Sequence, residues 1–105
     1  MAARISEADF EEKVIRSELP VLVDFYSDSC VACKKLAPTL GDIEDDYETK
    51  VHVYKVNTNF DMGLAERYGI QSNPTVILFV NGEPAGRKVG AKDYDELADL
   101  LEENI

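Results

Sequence analysis

Between Pro20 and Ser27 the chain runs Val21-Leu22-Val23-Asp24-Phe25-Tyr26, apolar at nearly every position. A strand wetted on one side alternates apolar and polar residues, whereas an unalternating run is covered on both faces, as where helices flank a sheet. Pro20 breaks any helix that precedes it. This stretch therefore points to an α/β architecture, and it makes Asp24 an anomaly. A carboxylate in a central strand is costly to bury unless it is paired or used. From the residues alone three readings stand: Asp24 faces a sheet edge, it meets a lysine such as Lys55, or it serves a site.

Directly after the run come Ser29-Cys30-Val31-Ala32-Cys33-Lys34, which hold both cysteines of the chain at what reads as a hinge from strand to helix. Two thiols at this spacing close into a short disulfide ring when the second lies on the first turn of a helix. The first sulfur then sits beside the unpaired N–H groups of the helix start, where the dipole favours thiolate over thiol. Thiolate is the form that attacks a disulfide. Other uses of the pair are weaker. Cysteines serving as small apolar residues belong inside periodic apolar segments, not at a strand end. A structural zinc site needs four ligands; the cysteine pair and His52 supply three, so only a dimer would complete it. A structural disulfide over so short a loop constrains little of the unfolded chain. Spacing and position favour reversible dithiol–disulfide chemistry.

The remaining segments fill in the class. Ser6-Glu7-Ala8-Asp9 reads as a capping box with Asp in the place of Glu, opening a helix to about Ser17 with Phe10 and Val14 one turn apart. From Val31 to about Tyr47, the residues Leu36, Leu40, Ile43 and Tyr47 form the stripe of a helix lying on a sheet. Pro38 falls inside that helix, removes a backbone donor and predicts a kink. Asp42, Glu44, Asp45, Asp46 and Glu48 read as its solvated face. Val51 to Val56 is a strand in which His52 is a surface residue. Asn57-Thr58-Asn59-Phe60-Asp61 is a loop of cap-type residues, followed by a short helix through Tyr68 that Gly69 closes. Pro74 opens the β-branched strand to Val80; a tight X-Pro entry admits a cis bond, but a trans turn proline is the plainer reading. Asn81-Gly82 is a hairpin signal, leading to a weaker strand around Arg87-Lys88-Val89 that Gly90 ends. Asp93-Tyr94-Asp95-Glu96 reads as a second capping box, and Tyr94, Leu97, Ala98 and Leu101 mark one face of a last helix. There is room for a short strand around Arg4. Strands separated by helices predict parallel pairing by right-handed crossovers, with the hairpin adding an antiparallel edge.

Composition matters through what it excludes. The 105 residues suit one domain, 1–105, with a real core. No run approaches the roughly 18 apolar residues of a membrane span. Met1-Ala2-Ala3-Arg4-Ile5-Ser6 leads straight into an acidic amphipathic segment without the pattern of a secretory signal, so a cytoplasmic protein is expected. In that compartment two cysteines are catalytic or metal-binding more often than scaffolding. A net charge of −10 argues against nucleic acid and anionic membrane as partners.

Over almost its full length the chain resembles the thioredoxin family. The matching stretches are Val23-Asp24-Phe25, Cys30 to Cys33 with Lys34, Ala37-Pro38, Lys55-Val56-Asn57, Tyr68-Gly69-Ile70, Pro74-Thr75, Asn81-Gly82 and Val89-Gly90-Ala91, all in the family's order. The resemblance implies the thioredoxin fold, a central mixed β-sheet flanked by helices, and a disulfide reductase mechanism that uses no cofactor. Cys30 would be the attacking thiolate and Cys33 the more buried resolving thiol. Asp24 would lie beneath Cys33 as proton acceptor and donor with its pKa raised by burial, and Lys55 would tune it. Pro74 would be a cis proline facing the disulfide. Asn73 would offer backbone hydrogen bonds to an extended target, Gly90 would keep the rim open, and Ser29, Val31 and Ala32 would complete the docking surface.

The chain also departs from the family. Tyr26 and Ser29 stand where tryptophan is usual, and the sequence has no tryptophan. Val31-Ala32 replaces the usual Gly-Pro, which changes backbone stiffness between the cysteines and predicts a less reducing potential than an ordinary thioredoxin. Asn73 replaces a commoner apolar residue and makes the groove more polar. The expected function is a cytoplasmic, monomeric thioredoxin that reduces disulfide-containing target proteins and is recharged by a flavin-containing thioredoxin reductase. Two alternatives are a dedicated electron donor to one client system and a binding module with an idle dithiol.

Overall fold

A computed structural model of the chain describes residues 2–90 and 92–105; Met1 and Ala91, the latter part of the Val89-Gly90-Ala91 match, lie outside the described residues. The elements in order are β1 (Ala3–Arg4), α1 (Glu7–Phe10), β2 (Val21–Tyr26), α2 (Val31–Asp46), β3 (His52–Asn57), α3 (Met62–Arg67), β4 (Thr75–Val80), β5 (Glu83–Val89) and α4 (Tyr94–Glu102). Every one corresponds to a segment read from the pattern. The local details differ in instructive ways. After α1 the chain continues as a π-helical stretch over Glu11–Ile15, closed by Arg16 N–H to Glu11 O at 2.9 Å, not as plain α-helix. Asp9 makes the reciprocal bond of the first capping box, accepting from Ser6 N–H at 3.3 Å and from its hydroxyl at 3.1 Å. Asp93 caps α4 by accepting from Glu96 N–H at 2.9 Å, but the Glu96 carboxylate turns to Lys92 at 3.8 Å instead of completing a second box. Helix α2 is one element from Val31 to Asp46 with Pro38 inside it. Of its acidic face, Asp46 is more than solvated: it accepts from Tyr94 Oη at 2.6 Å and ties α2 to α4.

Among the described residues the strands form one sheet in the order β1-β3-β2-β4-β5. The run Val21 to Phe25 thus becomes the centre strand, and all five of its residues are buried. Side chains on a strand alternate between faces. Leu22 joins Leu36, Leu40, Ile43, Leu97 and Leu101 under α2 and α4, while Val21, Val23 and Phe25 join Phe10, Val14, Leu64 and Phe79 under α1 and α3. Asp24 shares the Leu22 face and therefore points toward α2.

Pairing of β2 with β3 is parallel, as expected, but β4 runs antiparallel to β2, which overturns the expectation of parallel pairing for helix-separated strands. Helix α3 has 6 residues, a rise of roughly 9 Å, against roughly 20 Å for a six-residue strand. The chain leaving β3 is not carried back along the sheet, so β4 starts at the end where β3 stopped. Its register sets Thr75 opposite Phe25, so Pro74 arrives beside the end of β2. The hairpin forms as read, with Asn81 at φ 54° and Gly82 at φ 81°, and the bulged edge strand β5 accommodates Pro84.

Candidate active site

Cys30 is the N-cap of α2 and Cys33 lies in its first turn, and the two are joined by a disulfide with Cα atoms 5.2 Å apart. Cys33 N–H donates to Cys30 Sγ at 3.1 Å, and Cys30 O accepts from Lys34 N–H at 3.3 Å. The sulfur that caps a helix thus receives a backbone donor as well as the positive end of the dipole, and no acidic side chain stands in that first turn. Cys30 is half-buried, whereas Cys33 is only 6% exposed. The pair is asymmetric by construction: one sulfur within reach, one behind it.

Asp24, 4% exposed, lies in the centre strand and not at an edge, which settles one of its three readings. It lines a cavity of about 160 Å³ together with Tyr26, Cys33, Ala37 and Lys55. Burial raises its carboxyl from 3.8 to about 7, with the charge of Lys55, its register partner on β3, pulling the other way. Burial prevails because the charged form loses its water while Oδ1 finds no hydrogen-bond partner among the described residues in return. A carboxyl poised near neutrality can both take and return a proton. Lys55 Nζ lies 5.3 Å from the centroid of the Tyr26 ring, a cation–π contact made by the residue in the tryptophan position.

In the loop that enters β4 the Asn73–Pro74 bond is cis, so the plainer trans reading is corrected. Gly90 N–H donates to Pro74 O at 2.8 Å, joining the end of β5 to this loop. Gly90 holds φ at 92°, and a Cβ there would meet nothing within 4 Å among the described residues beyond its chain neighbours, so its backbone conformation calls for glycine. Among the described residues, the peptide N–H and C=O of Asn73 make no hydrogen bond. Ser29 and Val31 are exposed and Ala32 is half-buried.

Two residues read from the sequence as part of a loop of cap-type residues, with no role at the site, belong to this end of the sheet. Asn57, 1% exposed, donates from Nδ2 to Asp28 Oδ1 at 3.2 Å and accepts Asn59 N–H at 2.9 Å. Thr58 bonds Tyr26 O through its N–H at 2.8 Å and its hydroxyl at 3.1 Å, and its Oγ1 accepts from Asn73 Nδ2 at 3.2 Å. The signal that could have singled them out is position: polar residues at the carboxyl end of a parallel strand face the crevice where such sheets bind. Among the described residues, no group of three or more His, Cys, Asp or Glu is placed to hold a metal ion, and no helix is long and apolar enough to cross a membrane. His52 is exposed and stacks with Tyr54.

Comparison with known proteins follows the same line. The family model named Thioredoxin matches residues 1–103. The chain is 42% identical over 105 residues to a thioredoxin of Rickettsia bellii, covering all of both proteins. It is 43% identical over 102 residues to a thioredoxin of Synechocystis sp., covering 97% of this chain and 95% of that one. It is 38% identical over 101 residues to the chloroplastic M-type thioredoxin of Spinacia oleracea, covering 96% of this chain and 56% of that one.

Proposed function

This chain belongs to the thioredoxin family and is a thiol–disulfide oxidoreductase, and from that premise we propose how its residues divide the work. Residues 1–105 act as one domain. In the reduced protein the Cys30 thiolate attacks one sulfur of a target disulfide, forming a mixed disulfide while the target's other sulfur leaves as thiolate. Cys33 gives its proton to Asp24 and attacks Cys30 Sγ. The Cys30–Cys33 disulfide forms, the second target thiolate is released, and two electrons have passed from the dithiol to the target. Lys55 limits how far burial raises the Asp24 carboxyl.

The observation that carries this reading is the asymmetry of the pair: Cys30 caps α2 with a backbone donor on its sulfur, and Cys33 is buried on the cavity that Asp24 lines. Disulfide-containing proteins are the substrates. The peptide edge at Asn73, unpaired among the described residues, continued by Pro74 and Gly90 and rimmed by Ser29, Val31 and Ala32, takes an extended target segment by strand addition. A flavin-containing thioredoxin reductase returns the electrons, and the cycle runs in the cytoplasm, a compartment reducing enough to sustain it.

Two measurements test it. In the reduced protein, the pH dependence of Cys30 alkylation gives an apparent pKa well under the roughly 8.5 of a free cysteine. A Cys33→Ser variant accumulates mixed disulfides with target proteins. Alkylation at the rate of an ordinary thiol, together with no trapped species, refutes the reading. A dedicated donor is the second reading, favoured by the polar Asn73–Thr58 pair in the groove; slow turnover with a generic protein disulfide such as insulin, alongside a normal Cys30 pKa shift, would select it.

A further inference from the structure

The hydrogen bonds of Thr58 join two parts of the site that come from distant stretches of chain. Tyr26, whose carbonyl takes both Thr58 donors, closes β2 just ahead of Cys30; Asn73, which donates to the Thr58 hydroxyl, precedes the cis proline. A hydroxyl carries one hydrogen and accepts through its lone pairs. Because the Thr58 hydrogen goes to Tyr26 O, Asn73 must approach as a donor, which fixes its amide with Nδ2 toward Thr58. The other end of that amide, Oδ1, is buried and has no hydrogen-bond partner among the described residues. An unpaired buried acceptor is unfavourable, and an apolar residue at position 73 would avoid it. The Thr58 contact thus uses the one end of the amide that has a partner, and it holds the Asn73–Pro74 loop at one distance from the strand end that leads to Cys30.

We propose that Thr58 is a positioning residue for target capture, its hydroxyl fixing the Asn73–Pro74 edge relative to Cys30 so that a docked segment presents its disulfide in line with the attacking sulfur. This rests on the docking role given above to that edge. A target held at both places must span them at a set spacing, so loosening the joint weakens capture of an extended protein segment more than attack on a small disulfide that touches only the sulfur.

The test uses the full chain, with insulin as the protein disulfide and a small aromatic disulfide as the comparison. Thr58→Val, which keeps the shape and removes the hydroxyl, raises KM for insulin about fivefold, the worth of one ordinary hydrogen bond, with kcat within about twofold. The ratio of the insulin rate constant to the small-disulfide rate constant falls by a similar factor, and Thr58→Ser restores KM. Asn73→Ala, which removes the donor from the other side, also raises KM, so the outcome does not depend on one variant folding. The double variant is no worse than the poorer single one, because both remove the same bond. An unchanged KM in Thr58→Val, an equal loss with the small disulfide, or no rescue by Thr58→Ser overturns the assignment. Pro74→Ala separates the levels. If it too leaves KM for insulin unchanged, the docking reading falls and takes this one with it; if it raises KM while Thr58→Val does not, only the role of Thr58 is lost.

Discussion

A carboxyl raised to about 7 in the folded protein ties Asp24 to stability as well as to the proton transfer proposed for it. The folded state holds this proton more tightly than the unfolded chain, whose aspartates titrate near 3.9. The stabilisation from this proton is therefore fully present below about pH 4 and is lost as the pH rises through 7, where a buried charge replaces it. Asp24→Asn is accordingly expected to stabilise the oxidised protein by on the order of 2–4 kcal/mol at pH 8, with the gain fading toward pH 4. Urea unfolding at the two pH values checks this, and an equal gain at both would contradict it. The same variant should slow insulin reduction at neutral pH roughly 10- to 100-fold, near the low end for general acid–base catalysis because solvent can stand in for the lost base. A second prediction concerns Val31-Ala32. Among proteins with this dithiol spacing, thioredoxin is one of the more reducing. Replacing Val31-Ala32 by Gly-Pro between Cys30 and Cys33 should therefore make the potential more negative, by about 30 mV or more in a redox titration against glutathione. An unchanged or less negative potential would show that the two residues do not set it.

At the level of elements, two glycines with positive φ separate backbone strain from crowding. Gly69 ends α3 at φ 66°, with Ile70 N–H to Ala65 O at 2.8 Å and Gly69 N–H to Glu66 O at 3.2 Å, and a Cβ there would touch nothing within 4 Å. Gly82 sits in the hairpin at φ 81°, and a Cβ there would come within 2.6 Å of Ile15 O, where the turn packs on the end of the first helix. Gly69→Ala should cost about 1–2 kcal/mol, the penalty of the left-handed conformation alone. Gly82→Ala should cost more, because a backbone atom must also move. Denaturant unfolding of both variants reads the order directly, and a larger loss at Gly69 would mean that the hairpin yields more easily than its contacts imply. Both glycines were legible in the sequence because helix closure and tight hairpins are decided within a few residues. The direction of β4 was not: it follows from the shortness of α3 relative to the sheet, a comparison of lengths that no local pattern states.

The whole molecule is a sheet with an apolar layer on each face, and Phe10 shows how a distant segment completes one of them. Its ring, 1% exposed, lies 5.5 Å from both Tyr68 and Phe79, so the first helix, α3 and β4 share one cluster. Phe10→Ala should remove about 3–5 kcal/mol of stability. Because this layer lies on the face opposite Asp24, the apparent pKa of Cys30 alkylation should stay within a few tenths of a unit. Denaturant midpoints and the alkylation profile, measured together, test both halves; a large shift in Cys30 reactivity would show that the two layers are coupled. The sequence by itself determined the central strand, the helix starting at Cys30 and the place of the first sulfur at that helix's free N–H groups, because apolar runs, caps and a two-residue spacing act over a turn or a strand. Only the tertiary structure decided that β4 runs antiparallel beside β2, that the Asn73–Pro74 bond is cis, that Asp24 shares a cavity with Cys33, and that Thr58 joins Tyr26 to Asn73. Each of those depends on which distant segments become neighbours, and that is settled by how lengths, layers and buried polar groups are satisfied together.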